Sequence, residues 1–347
     1  MQFNYSLLNI SDIFCNKNMK KSSNANPFTS KQDALKCYKN MVDVRKFEEK
    51  CVQVYGMGQI AGFCHLAIGQ EAIPVGIAHC MEKGDSVITS YRCHGNNLAC
   101  GTDPKYIFAE LMGRETGVSK GKGGSMHLFD TERGFWGGHG IVGAQVSLGT
   151  GMAFANQYKQ NGNVTLALMG DGAANQGQVY ESMNMAKLWN LPVLYIIENN
   201  KYAMGTSMAR HTKTEKLSDR GLGYGVEGVQ VDGMDVTEVI SRIKECLSKI
   251  RSGSGPILME ILTYRYRGHS MSDPAKYRTK DEVDSYRNDQ DPIKQLEELM
   301  LKNKYITEPE IEEIEELSRA KMEEAYQFAL SSSEPSLSEL YTQIYCG

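Results

Sequence analysis

The sequence predicts an α/β fold with a mostly parallel sheet and helices on both faces, and three observations predict it. Residues 164–169 and 193–197 are unbroken apolar runs without polar alternation, the pattern of strands buried on both faces. Between them Val179, Met183, Met185, Ala186, Leu188 and Trp189 follow helical spacing until Pro192 interrupts it, so the stretch is a crossover joining two parallel strands. Both runs end in polar groups, Gly170-Asp171-Gly172 and Glu198-Asn199-Asn200. Those groups lie at the carboxyl edge of the sheet, where open parallel sheets bind ligands.

The rest of the chain fits around that crossover. Residues 1–30 are rich in Asn, Lys and Ser and contain no Arg, so they are expected to form a flexible arm and not a signal or mitochondrial transit peptide. Residues 31–347 are expected to form one domain, helical from about residue 280. Ser30 is placed to cap a helix over residues 31–55. Gly69-Gln70-Glu71-Ala72 opens a second helix after a loop that carries His65. A short strand at residues 87–89 delivers Tyr91 and Arg92. A lone arginine is commonly a surface residue, but at a sheet mouth its planar donors suit a phosphate.

Residues 113–151 are dense in glycine, which is expected to let the backbone approach a ligand or a neighbouring subunit closely. Gly138, Gly140 and Gly143 spell a dinucleotide fingerprint, rejected because residues 131–137 do not read as an apolar strand. A helix over residues 144–158 is rich in small residues, and the charged stretch 209–219 reads as a mobile loop beside the site. Residues 229–231 and 256–263 are further strands. Between them Asp235 caps a helix to about residue 250, with Glu238 completing a box-like start. The last strand delivers His269, which suits proton transfer near neutral pH, although most isolated histidines are structural. Helices follow over residues 281–302 and 308–330. Ile306, Ile311, Ile314, Leu317 and Met322 are expected inside, and the glutamates of 310–316 in solvent.

Composition narrows the function. A net charge of −4 over 347 residues implies no attraction to nucleic acid or membrane. No apolar run is long enough to span a bilayer. The nine cysteines form no C-x-x-C pair, so free thiols in a reducing compartment are expected. At the crossover, Asp171 and Asn200 offer hard oxygen ligands suited to Mg²⁺. The glycine turn and the helix start near Asn175 suit a diphosphate.

The strings GDGAANQGQVYE and ENNKYAMGTS, with GDG answered by NN one crossover later, resemble the thiamine diphosphate signature. More narrowly, the chain from about residue 33 to its end resembles the alpha subunits of the pyruvate dehydrogenase component of the 2-oxo acid dehydrogenase complexes. The resemblance implies a thiamine diphosphate-binding fold, with Mg²⁺ on Asp171, Asn200 and the carbonyl of Tyr202. It implies cofactor contacts from Tyr91, Arg92, Gly140, Val142, Gly172, Ala173 and His269. It places His65, Tyr91 and Arg92 at the substrate, with His65 and His269 as catalytic groups.

The implied activity is oxidative decarboxylation of pyruvate, with the acetyl group passing to the lipoyl group of dihydrolipoyl acetyltransferase. In that family the carboxylate that activates the cofactor belongs to a beta subunit, in an assembly of two alpha and two beta chains, so this chain alone is expected to be inactive. Ser207 and Ser270 match serines phosphorylated in eukaryotic relatives. A further regulatory serine has no counterpart in Pro274-Ala275-Lys276-Tyr277, which suggests a bacterial, cytoplasmic enzyme without kinase control. Branched-chain 2-oxo acid and acetoin dehydrogenase alpha subunits are the nearest alternatives. An NAD-dependent dehydrogenase would need a strand and an acid that do not appear here, and a scaffold subunit would not need Asp171 and Asn200.

Overall fold

A computed structural model describes residues 26–345. The expected arm therefore lies almost wholly outside the described residues, as do Cys15 and Cys346. Among the described residues eight strands form: β1 (Ser86–Ser90), β2 (Phe135–His139), β3 (Thr165–Gly170), β4 (Val193–Asn199), β5 (Tyr202–Ala203), β6 (Thr206–Ser207), β7 (Glu227–Asp232) and β8 (Ile257–Leu262). Six of them make one sheet in the order β2-β1-β3-β4-β8-β7, with every pairing parallel. The short pair β5–β6 is an antiparallel hairpin just past β4.

The continuous apolar runs are explained by the two faces they serve. Leu166 and Leu168 of β3, with Leu194 and Ile196 of β4, belong to one core. Ala167 and Met169, with Tyr195 and Ile197, belong to the other. Every residue therefore meets a packed layer, as a doubly covered parallel sheet requires. The first core takes in α1 (Lys31–Gly56), α2 (Ala72–Cys80), α3 (His94–Ala99) and α4 (Pro104–Leu111). The second takes in α5 (Ala144–Lys159) and α6 (Gly177–Leu188). A short turn, α7 (Met208–His211), follows the hairpin, and α8 (Val236–Lys249) packs on α2. A Cβ at Gly76 would come within 2.6 Å of Val239, so glycine there is what lets α2 and α8 meet. Three helices follow: α9 (Lys280–Asp289), whose Tyr286 stacks on Tyr264 just past β8, α10 (Pro292–Lys302), which packs on α1, and α11 (Glu308–Ser331), which packs on α1 and α4.

Several local expectations hold. Ser30 Oγ accepts the Asp33 amide 3.1 Å away and caps α1. Asp235 Oδ1 accepts the amides of Thr237 and Glu238, but Glu238 returns its own bond to the Asp232 amide and not to the cap residue. Other expectations are corrected. The segment read as one helix over 281–302 is two, because Asp291 caps a new start at Pro292, whose ring cannot sit inside a helix. Leu317 is 60% exposed and not inside. The chain rejected as a strand before Gly138 forms β2, which contains that glycine. As an edge strand with Gly137 and Gly138 among five residues, it lacks the apolar signal of a central strand.

The glycine-dense segment is corrected most. Part of it wraps a group from the chain itself. The Glu110 carboxylate, fully buried at the end of α4, accepts four backbone amides, those of Ser119, Gly121, Gly123 and Gly124, at 2.7–3.1 Å. Gly121 and Gly124 take positive φ there, which lets successive amides turn toward one anion. Further along, Gly137 and Gly138 leave room for Phe129 and Cys93. Removing the carboxylate strands four donors at about 1–3 kcal/mol each, less what entering water returns. Glu110→Ala should therefore lose at least ~3 kcal/mol in urea unfolding, with amides 119–124 the first to accelerate in hydrogen exchange. Unchanged exchange of this loop would refute the clasp.

Candidate functional site

The carboxyl ends of β1, β3, β4 and β8 converge on a cavity of about 270 Å³. Its walls include Tyr91, Arg92, Val142, Asp171, Gly172, Ala173, Asn200, Tyr202 and His269, all expected from the sequence. Gly140 does not line this cavity and instead faces the His127 ring. Ser207 ends β6 and precedes α7, outside the cavity. Ser270 is buried, with its hydroxyl 3.0 Å from that of Ser272.

Two of the expected metal donors point at one cation. Arg265, fully buried, places Nη1 3.0 Å from Asn200 Oδ1 and 2.8 Å from the Tyr202 carbonyl. Its Nη2 reaches the Met204 carbonyl and Tyr277 Oη. The guanidinium nitrogen thus stands where a positive charge shared by those oxygens would sit. Asp171, buried at the tip of β3, lines the same cavity and accepts from His211 Nε2 at 3.0 Å. Burial raises the Asp171 pKa, and His211 opposes that rise. A carboxylate, an amide oxygen and a carbonyl form the oxygen-only set that Mg²⁺ prefers, so these residues fit the ion.

Asn200 is oriented from its other end. Its Nδ2 donates to Gln70 Oε1 at 3.1 Å, which fixes the amide so that Oδ1 faces Arg265. Gln70, His211 and Arg265 were missed as site residues. Gln70 comes from a distant, largely apolar stretch and His211 from a charged one, neither with a motif, and Arg265 lies four residues before His269 in a string read mainly for that histidine. Glu198 was missed too, although an acid directly before Asn199-Asn200 was a usable signal. It is buried on the cavity wall, and burial pushes it up to about 7 against the pull of Arg92.

Arg92 joins the two histidine segments. Its Nη1 donates to the Leu66 carbonyl at 2.6 Å and its Nη2 to the His269 carbonyl at 2.8 Å. Two more backbone bonds, Met271 amide to Cys64 carbonyl and Tyr266 amide to Ile68 carbonyl, lay the segments side by side. The His65 and His269 rings meet edge to face with centroids 5.1 Å apart, and Tyr91 lies against both. Each histidine leaves its Nδ1 buried without a partner, and of the two only His269 lines the cavity. Burial and the nearby Arg92 charge push His65 down to about 2 and His269 to about 4. Both rings are therefore neutral at pH 7. The charged stretch 209–219, expected to be a loop, contributes most of α7 with His211, and just past it Arg220 donates from Nη1 to the Ala174 carbonyl at 3.0 Å.

Fold and site together describe an α/β protein whose adjacent strand tips meet at one cavity lined by charged and polar groups. Residues 39–338 match the family described as dehydrogenase E1 component. Among curated relatives, the pyruvate dehydrogenase E1 component subunit alpha of Rhizobium meliloti is 58% identical over 91% of this chain and 90% of its own length. The protein of that name from Rickettsia felis is 54% identical over 91% and 97%. The mitochondrial one of Dictyostelium discoideum is 48% identical over 91% and 83%. The chain belongs to the dehydrogenase E1 component family, and its fold is the thiamine diphosphate-binding fold of that family.

The neutral histidines predict a pH dependence. An unfolded histidine takes up a proton near pH 6.5 and the folded ones do not, so each costs stability as the pH falls below that value. Glu198 acts oppositely, because its folded form binds a proton between about pH 7 and 4.5 where the unfolded form does not. In urea unfolding, His65→Gln should lose less stability than the parent between pH 6.5 and 5. Parallel profiles would show that His65 is not held neutral.

Proposed function

We propose that this chain is the alpha subunit of a pyruvate dehydrogenase first component. With a beta subunit, it would decarboxylate pyruvate oxidatively and pass the acetyl group to the lipoyl group of a dihydrolipoyl acetyltransferase. The observation that carries the reading is the convergence of Asn200 Oδ1 and the Tyr202 carbonyl on one cationic nitrogen, with Asp171 in the same cavity. The names of the curated relatives support the substrate.

Bound thiamine diphosphate supplies the electron sink that lets a 2-oxo acid lose CO₂. Asp171, Asn200 and the Tyr202 carbonyl would hold Mg²⁺. Gly172, Ala173 and the start of the crossover helix would take the diphosphate through backbone amides. Tyr91, Val142 and Gly140 are assigned to the cofactor's flank, and Arg92 to both cofactor and substrate. His65 and His269, neutral and each with an unpartnered ring nitrogen, would donate or accept a hydrogen bond at the substrate without adding buried charge. Ser270 and Ser207 are assigned to loop hydrogen bonding.

A partner reading fits the surface. Leu148, Phe154 and Tyr158 of α5 and Leu188 and Trp189 at the end of α6 are 45–83% exposed, and the Phe154 and Trp189 rings touch with centroids 5.6 Å apart. A contiguous apolar face of this kind calls for a protein cover. The beta subunit would supply both that cover and the carboxylate that activates the cofactor. Among the described residues no helix is long and apolar enough to cross a membrane, in keeping with a cytoplasmic assembly.

Thiamine diphosphate and Mg²⁺ at 100 times their dissociation constant should stabilise the alpha–beta assembly by about 2.7 kcal/mol. Asp171→Ala should remove most of that shift. The alpha chain alone should give no pyruvate turnover. Initial rates with pyruvate should exceed those with 3-methyl-2-oxobutanoate and acetoin, and a preference for either of these would overturn the substrate assignment.

A further inference from the structure

Away from the cavity, Glu48 on α1, His94 at the start of α3 and Ser125 after the glycine loop form a hydrogen-bonded chain. His94 Nε2 lies 2.8 Å from Ser125 Oγ, and His94 Nδ1 lies 3.0 Å from Glu48 Oε2. This is the order of groups in a hydrolase triad. The serine, however, is 3% exposed and its oxygen is turned to backbone, so no substrate can reach it. Glu48, Cys51 and His94 also lie close enough to suggest a metal. The acid and the imidazole, however, are already bonded at every polar atom, which leaves no ligand demand.

The donor count gives the chain a direction. A carboxylate only accepts, so His94 Nδ1 carries the proton shared with Glu48. With the ring neutral, His94 Nε2 accepts from the Ser125 hydroxyl, which leaves Ser125 Oγ free to accept. Its donor is the amide of His65, 3.4 Å away. At the other end Glu48 Oε1 accepts the amide of Ala67 at 2.8 Å. The chain begins and ends on the two residues flanking Leu66, whose carbonyl Arg92 holds. We propose that Glu48, His94 and Ser125 act as one positioning relay that clamps residues 65–67 and so fixes the His65 ring beside Tyr91 and His269.

None of the three residues lines the cavity, so the relay acts through His65, and the inference rests on the assignment of His65 given above. A displacement of about 1 Å at a reacting group costs on the order of a hundredfold in rate. In the alpha–beta assembly, Ser125→Ala should lower kcat for pyruvate by about 10- to 100-fold while thiamine diphosphate affinity stays within about twofold. The decisive measurement is the cycle with His65→Ala. The double variant should be no slower than His65→Ala alone, to within about twofold, because the relay has nothing left to position.

Multiplying losses, or Ser125→Ala retaining parent kcat, would overturn the relay. A His65→Ala variant with parent kcat would instead overturn the assignment of His65, and the relay's role with it. Should Ser125→Ala fail to fold, Glu48→Gln carries the same cycle. Its amide keeps the acceptor for Ala67 but faces His94 Nδ1 with a donor, which reverses the chain.

Discussion

Asn200 is the point on which the site depends, because it is held from both ends. Its nitrogen is committed to Gln70 and its oxygen to Arg265, so neither rotation nor a flip is free. Through Arg265 that constraint reaches the Tyr202 and Met204 carbonyls of the hairpin and the hydroxyl of Tyr277. Tyr277 donates in turn to Asp273, which also accepts the His269 amide. One buried cation thus ties the tips of β4 and β8 to the loop that carries a proposed catalytic histidine. A guanidinium suits this task better than an ammonium because its planar donors satisfy several carbonyls at fixed angles.

Burying that charge needs compensation, and the residues around it supply it with dipoles more than with ions. Arg265 bonds to an amide, two carbonyls and a phenol, and Arg92 to two carbonyls. The carboxylates at hand are Asp171, paired with His211, and Glu198, which burial pushes toward the protonated form. The histidines answer the same field by staying neutral. A pocket lined by two guanidiniums with so little full negative charge favours an anion, which is the charge the proposed diphosphate would bring.

What the sequence made legible was set by interactions close along the chain. The central crossover was readable because each residue of β3 and β4 is buried on one face or the other, which writes an unbroken apolar run. Caps at Ser30 and Asp235 were readable because their partners lie two or three residues away. Edge strand β2 was not, since sheet pairing and not side-chain character forms it. The glycine loop was misread because its anion is Glu110, an ordinary helical residue whose partners come from 9 to 14 positions on. Gln70 and His211 were invisible for the same reason, lying 130 and 40 positions from the groups they orient. The motif showed which atoms would meet a cofactor, and the fold alone shows what aims them.

That distinction bears on how the two histidines are held. His269 rides on a loop anchored by Asp273 and Arg92, so its position depends on the buried cations. His65 shares Arg92 but is clamped in addition from the first core, through Ser125 and Glu48, elements that do not touch the cavity. The Glu110 clasp orders the loop that presents Ser125, so a helix at the far side of that core contributes to where one imidazole stands. His65 thus has a second support, rooted in the first core, that His269 lacks.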